Sequence, residues 1–135
     1  MDCIFCKIVS GQIPTKIIKE TSCSISFMDA FPLAKGHALV IPKKHHKKLQ
    51  DMSAEENSDL FSLVYDVMSK VDTITGSTLL AIHNGEDAGQ EIPHVHVHLI
   101  PRSKNDSAGP VHSMFKSSPD IPASEIDAVY NKLKF

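Results

Sequence analysis

Apolar and polar positions along this chain follow two periods, and the switches between them mark out the elements. Ile4, Phe5, Ile8 and Val9 sit at helical spacing and predict a short amphipathic turn, ended by Ser10-Gly11. Lys16–Glu20 and Cys23–Met28 read as short strands around Thr21-Ser22, and Asp29-Ala30-Phe31-Pro32 as a turn. After Gly36, the run His37-Ala38-Leu39-Val40-Ile41 suits a buried strand closed by Pro42. Ser53 with Glu56 forms a capping-box signature. Leu60, Phe61, Val64, Val67, Met68 and Val71 then recur at three- and four-residue steps and predict a helix over 54–71. Thr78–Ile82 predicts another strand, and His83–Gln90 is rich in turn formers. From Pro93 to Pro101 the period becomes two: His94, His96 and His98 share one face, and Val95, Val97 and Leu99 share the other, toward a core. Residues 103–110 are polar, Pro119 to Pro122 is a break, and Ile126, Val129, Tyr130 and Leu133 mark a short helix capped by Ser124.

Composition narrows the class. A length of 135 residues, 41% apolar and 22% charged, predicts one globular domain over 1–135 with a core that needs no disulfides. A net charge of −2 argues against a nucleic-acid binder. The run Lys43-Lys44-His45-His46-Lys47-Lys48 reads as a solvated surface. No apolar stretch reaches the roughly 18 residues of a membrane span, and Met1-Asp2-Cys3 opens no secretory pattern. Three cysteines fit a reducing compartment, so the expected location is cytoplasmic, or also nuclear in a eukaryote.

The candidate chemistry lies on the histidine strand. Three aligned imidazoles allow a merely solvated face, a metal site or catalysis by a histidine nucleophile. Cys3 and Cys6 form a Cys-x-x-Cys pair, which reads as half a zinc site, a redox pair or two small core residues. The loop before the histidine strand can present backbone N–H groups to an anion.

His94-Val95-His96-Val97-His98-Leu99-Ile100 resembles the signature of the histidine triad (HIT) family, His-φ-His-φ-His-φ-φ with φ apolar. Phe5-Cys6-Lys7-Ile8 with Ile13-Pro14, Phe27-Met28-Asp29, and Gly36-His37 through Ile41-Pro42-Lys43-Lys44-His45 are similar to further segments of that family, in the same order. The resemblance spans residues 2–102 and leaves 103–135 as a tail with a short helix. It is nearest to the Hint-like nucleotide-binding branch and its prokaryotic-type, zinc-containing relatives. It implies an α+β fold: an antiparallel sheet of about five strands, one long helix, short N- and C-terminal helices, and a homodimer.

The resemblance also implies a chemistry, a nucleotidyl-histidine intermediate formed at an α-phosphate. His96 matches the nucleophile, His98 the residue that bonds phosphate oxygens, and His94 the orienting histidine. Gly89 and Gln90 match the anion-binding turn, so His96, His98 and Gln90 form the expected catalytic set. Asp29 matches the carboxylate on the ribose hydroxyls, although it also suits a turn. Ile4, Phe5, Ile13, Phe27 and Leu39 match an apolar slot for the base, and ordinary core is their simpler reading. His37 matches a supporting histidine. Two positions depart from the Hint-like pattern: His83 stands where that branch has Asn, and Glu91 where it has Ser. Cys3, Cys6, His45 and His94 match a structural zinc set, with His46 as a competing ligand and no catalytic metal expected. The expected activity is hydrolysis of a purine nucleoside phosphoramidate, such as AMP joined to an amine or a lysine, with AMP as the ligand. A dinucleoside polyphosphate hydrolase, a nucleotide-binding module with little turnover, and a metal enzyme using all three triad histidines remain alternatives.

Overall fold

The computed structural model describes residues 2–135, which fall into two compact units, the first ending at Lys104 and the second spanning Asn105–Phe135. The first unit runs α1 (Ile4–Val9), β1 (Ile17–Glu20), β2 (Ser24–Met28), β3 (Ala38–Pro42), α2 (Ala54–Thr75), β4 (Thr78–Ile82) and β5 (Val97–Pro101). Its strands form one antiparallel sheet in the order β1-β2-β3-β5-β4. The HIT-like α+β architecture expected from the resemblance is therefore present.

Each face of the sheet has its own core. Ala38 and Val40 of β3, with Val95, Val97 and Leu99, pack against Leu60, Leu63, Val64, Val67 and Val71 of α2. Burial of each valine or leucine among them contributes about 1.5–3 kcal/mol. On the opposite face, Ile25, Phe27, Leu39 and Ile41 pack against Cys3, Phe5 and Ile8 at the start of the chain. The alternation read from the sequence thus separates the two faces: Val95, Val97 and Leu99 lie toward α2, and the histidines lie toward α1.

Helix α2 starts as its residues dictate. Ser53 Oγ accepts the Glu56 N–H at 3.1 Å, and Glu56 Oε1 accepts the Ser53 N–H at 3.1 Å. It runs four residues past the expected end at 71, because nothing breaks it before Gly76, which takes φ +87 and donates its N–H to Asp72 O. Leu63 completes the buried stripe, whereas Phe61 sits at its edge, 37% exposed.

The ladder of β5 begins at Val97 rather than at the first triad histidine. Before it, Pro93 offers no N–H, and Val95 N–H bonds to His46 O at 2.8 Å outside any strand pair. In the second unit, α3 (Ala123–Leu133) has Pro122 at its N-cap, with no side-chain cap bond. Ser124, expected as the cap, lies one residue inside the helix, since Pro122 already has the extended backbone that a cap position requires. Ile126, Val129, Tyr130 and Leu133 of α3 are exposed.

Candidate functional site

The register of the sheet gathers the imidazoles. Leu39 pairs with His98 across β3 and β5, and His37 precedes Ala38 on the same face as Leu39. His37 Nδ1 accepts the Leu33 N–H at 3.0 Å, so a neutral His37 carries its proton on Nε2. That nitrogen lies 3.0 Å from His98 Nδ1 and 3.4 Å from Asp29 Oδ2. Accepting there leaves His98 with its own proton on Nε2. His96 Nδ1–H donates to His94 O at 2.7 Å, which leaves Nε2 with the free lone pair. Burial holds His37 and His96 below the ordinary imidazole range. Burial, and then the neighbouring His96, His37 and His83, bring His98 down to about 4. These rings are neutral near pH 7, with their tautomers set by fixed partners.

The rings open on a cleft of about 460 Å³. Its walls come from Ile4, Phe5 and Ile8 of α1, Leu39 of β3, and Glu91 and Ile92 ahead of the triad, with His37, His83, Gly89, His96 and His98 among them. The loop after β2 adds Asp29, Ala30, Phe31 and Leu33. Asp29 serves two ends: Oδ1 accepts the Phe31 N–H at 2.8 Å, and Oδ2 faces His37. The turn role and the cleft position therefore coexist in one side chain.

Three expected residues are absent from these walls. Phe27 is 2% exposed and stacks at 5.9 Å behind Phe5, and Ile13 packs against the same core, so both support the wall from beneath. The Gln90 side chain is engaged with the backbone on both sides: Oε1 accepts the Gly85 N–H at 2.9 Å, and Nε2 donates to Lys47 O at 2.8 Å. It braces the turn instead of reaching the cleft. Ile8, Ala30, Phe31, Leu33 and Ile92 line the cleft without having been expected. Phe31 and Leu33 carried a readable signal, two large apolar residues in a turn-forming segment; they are 85% and 78% exposed.

Behind the triad, Cys3, Cys6, His45 and His94 bring one ligand atom each to within 4.8 Å of one another. Cys3 Sγ lies 3.5 Å and Cys6 Sγ 3.6 Å from His94 Nδ1, and Cys6 Sγ lies 3.4 Å from His45 Nδ1. His94 Nε2–H donates to Pro42 O at 2.8 Å, which turns the Nδ1 lone pair toward the two sulfurs. Burial brings His94 down to about 4, so that lone pair is free of a proton at neutral pH. Burial and the adjacent Cys3 raise the Cys6 thiol, a penalty that a bound cation would reverse. This donor set could hold a metal ion. His46, the competing ligand, instead donates Nε2–H to Glu56 Oε2 at 2.7 Å, beside the cap of α2.

The chain matches the HIT domain family model over residues 10–105. It is 42% identical over 106 residues to adenosine 5'-monophosphoramidase hnt1 of Schizosaccharomyces pombe, covering 78% of each protein. It is 36% identical over 96 residues to the asymmetrical bis(5'-nucleosyl)-tetraphosphatase of the same yeast, covering 70% of this chain and 53% of that one. Among solved structures it is similar to a HIT family member from Bacillus subtilis, with a TM-score of 0.86 and 31% identity over 98% of this chain and 95% of that one.

Proposed function

This chain belongs to the HIT family, and on that premise we propose that it hydrolyses nucleotides at the α-phosphate through a nucleotidyl-His96 intermediate, with a purine nucleoside phosphoramidate as substrate. The observation that carries the reading is the 2.7 Å bond from His96 Nδ1–H to His94 O. It leaves Nε2 as a nucleophile that needs no separate base, in a ring that burial keeps neutral. His98 Nε2–H is a neutral donor suited to a phosphate oxygen, and the Gln90-braced turn with Gly89 suits the phosphate itself. Asp29 suits the ribose hydroxyls, and Ile4, Phe5 and Leu39 suit the base. The yeast phosphoramidase supports the choice of substrate class.

The test is turnover of AMP joined to an alkyl amine, with trapping of adenylyl-His96 by rapid alkaline quench and mass spectrometry. His96→Ala is expected to abolish turnover and to keep AMP affinity within about threefold. Near-wild-type rates in that variant would remove His96 as the nucleophile. A second reading, a dinucleoside polyphosphate hydrolase, draws support from the yeast tetraphosphatase. The ratio of kcat/KM on the AMP-amine to that on diadenosine tetraphosphate separates the two. A binding module with little turnover would bind AMP and trap no adenylyl group.

Cys3, Cys6, His45 and His94 are read as the ligands of a structural zinc ion. Two thiolates and two imidazoles make a closed tetrahedral set with no open position for substrate. The hydrolytic scheme uses no metal, because histidines and backbone amides stabilise the charge. The quaternary state proposed is a homodimer, supported by the edge strand β4, whose Leu79 and Leu80 are 37% and 42% exposed. No helix among the described residues is long and apolar enough to cross a membrane, and the proposed location is cytoplasmic.

A further inference from the structure

The scheme above leaves one proton without a donor. When a P–N bond breaks, the departing amine nitrogen gains an electron pair and must be protonated to leave as a neutral amine. Apart from His83 and Glu91, the titratable groups on the cleft are engaged. His96 Nδ1–H is bound to His94 O, and its Nε2 makes the new bond to phosphorus. His98 has one nitrogen on His37, and His37 has one on the Leu33 backbone. A neutral ring of this kind can donate a hydrogen bond but cannot give up its only proton at neutral pH. Asp29 has one oxygen on the Phe31 N–H and the other toward His37.

His83 differs from all of these. It lines the same cleft, and among the described residues its ring has no hydrogen-bond partner. Its position follows from the sheet register. Strand β4 pairs with β5 from Thr78↔Pro101 to Ile82↔Val97, and His83 and His96 each directly adjoin that last pair. His83, His96 and His98 line one cleft. The His83 ring meets the His98 ring edge-on, with centroids 5.7 Å apart. Its backbone is held from both sides: Ile82 is in the ladder, and the Asn84 side chain bonds to the Leu49 N–H and to Gln50. Gly89 closes against the ring, since a Cβ on it would lie 3.2 Å from His83 Cδ2. The outcome is an imidazole held on the cleft beside His98, with no hydrogen-bond partner on its ring among the described residues.

We propose that His83 is the proton donor to the leaving amine, a catalytic residue where the Hint-like pattern has an asparagine that cannot titrate. In the first step, the His96 Nε2 lone pair forms the N–P bond and the P–N bond to the amine breaks. The electron pair stays on the amine nitrogen, which takes a proton from imidazolium His83 and leaves neutral. In the second step, water attacks phosphorus, neutral His83 accepts its proton, and the bond from phosphorus to His96 Nε2 breaks. AMP, the free His96 ring and protonated His83 result. A substrate class follows: amines that are poor leaving groups, such as alkyl or lysyl amines, gain most from this donor.

The role rests on the nucleotidyl-His96 reading, and two substrates test it separately. One is AMP joined to an alkyl amine; the other is the p-nitrophenyl ester of AMP, whose leaving group departs without a proton. His83→Asn and His83→Gln are expected to lower kcat/KM on the alkyl phosphoramidate by about 10²- to 10³-fold, and to slow the first-turnover burst of nitrophenol from the ester, which reads the first step alone, by less than about fivefold. The burst amplitude on the ester also reports that the variants are folded. Added imidazole is expected to restore part of the phosphoramidate rate in His83→Ala. Equal losses on both substrates, or no loss on either, would overturn the donor role while adenylyl-His96 is still trapped in the wild-type protein. If the wild-type protein traps no adenylyl-His96, the underlying reading fails, and the donor role with it.

Discussion

Burial of a neutral imidazole makes His98 a source of acid sensitivity. Its folded value of about 4 lies below the ordinary 6.5, chiefly through burial and then through the crowding of His96, His37 and His83. The unfolded chain takes up a proton there below about pH 6.5, whereas the folded chain does so only near 4. The stability gained by keeping His98 neutral is therefore present above about pH 6.5 and is lost as the pH falls from there toward 4. Thermal melts at pH 7.5 and pH 5 are expected to show a lower Tm at pH 5, with a smaller difference in His98→Asn; an unchanged difference would show that His98 does not contribute. Gly89 is a second test at this scale. It holds φ +99, and a Cβ would press on the His83 ring, so Gly89→Ala is expected to destabilise by about 1 kcal/mol or more and to slow phosphoramidate turnover. The motif itself was readable because three histidines at period two have few uses. Side-chain targets were not readable: Gln90 stands beside the cleft, and only the coordinates show its amide taken by Gly85 and Lys47.

Among the elements, α2 supplies the rigid floor of the sheet, and its first turn is where a local change should register. Ser53 and Glu56 satisfy each other's backbone N–H groups, and the second Glu56 oxygen takes His46 Nε2–H. Ser53→Ala is expected to cost about 1 kcal/mol, seen as a Tm lower by roughly 4–8 °C, with kcat unchanged because the cap is outside the cleft. Leu60→Ala, at a side chain with no exposure, should cost more, about 2–5 kcal/mol. The elements were legible where period and punctuation agree, as in β4 and in the start of α2. They blurred where a boundary depends on a partner. Whether residues 94–96 join a strand depends on what faces Val95, and His46 O faces it. Whether α2 stops at 71 or at Thr75 depends on a polar turn whose propensity allows either, until Gly76 decides.

For the whole of the first unit, the two faces of the sheet are unequally secured. One carries the 22-residue α2; the other carries α1, six residues long, with Phe5 and Ile8 as its buried side chains. A helix that short is not stable by itself, and part of its apolar surface lines the cleft instead of a core. Phe5 nevertheless lies 5.1 Å from the His96 ring and meets His94 edge-on at 5.7 Å, so α1 is a wall of the reaction chamber. The Cys3, Cys6, His45 and His94 cluster joins the start of the chain to the segment after β3 and to the approach to β5. A zinc ion there would clamp the weak face from behind, through atoms that do not line the cleft. Three outcomes are expected together: about one zinc per chain, a Tm lower by on the order of 5–10 °C after chelation or in Cys3→Ser/Cys6→Ser, and a rise in KM with kcat nearly kept. KM rises because loosening α1 frees Ile4, Phe5 and Ile8 from the pocket wall, while the tautomer of His96 is still fixed by the His94 carbonyl. Loss of kcat at once on chelation, with circular dichroism unchanged, would move the metal to the catalytic face and undo the clamp.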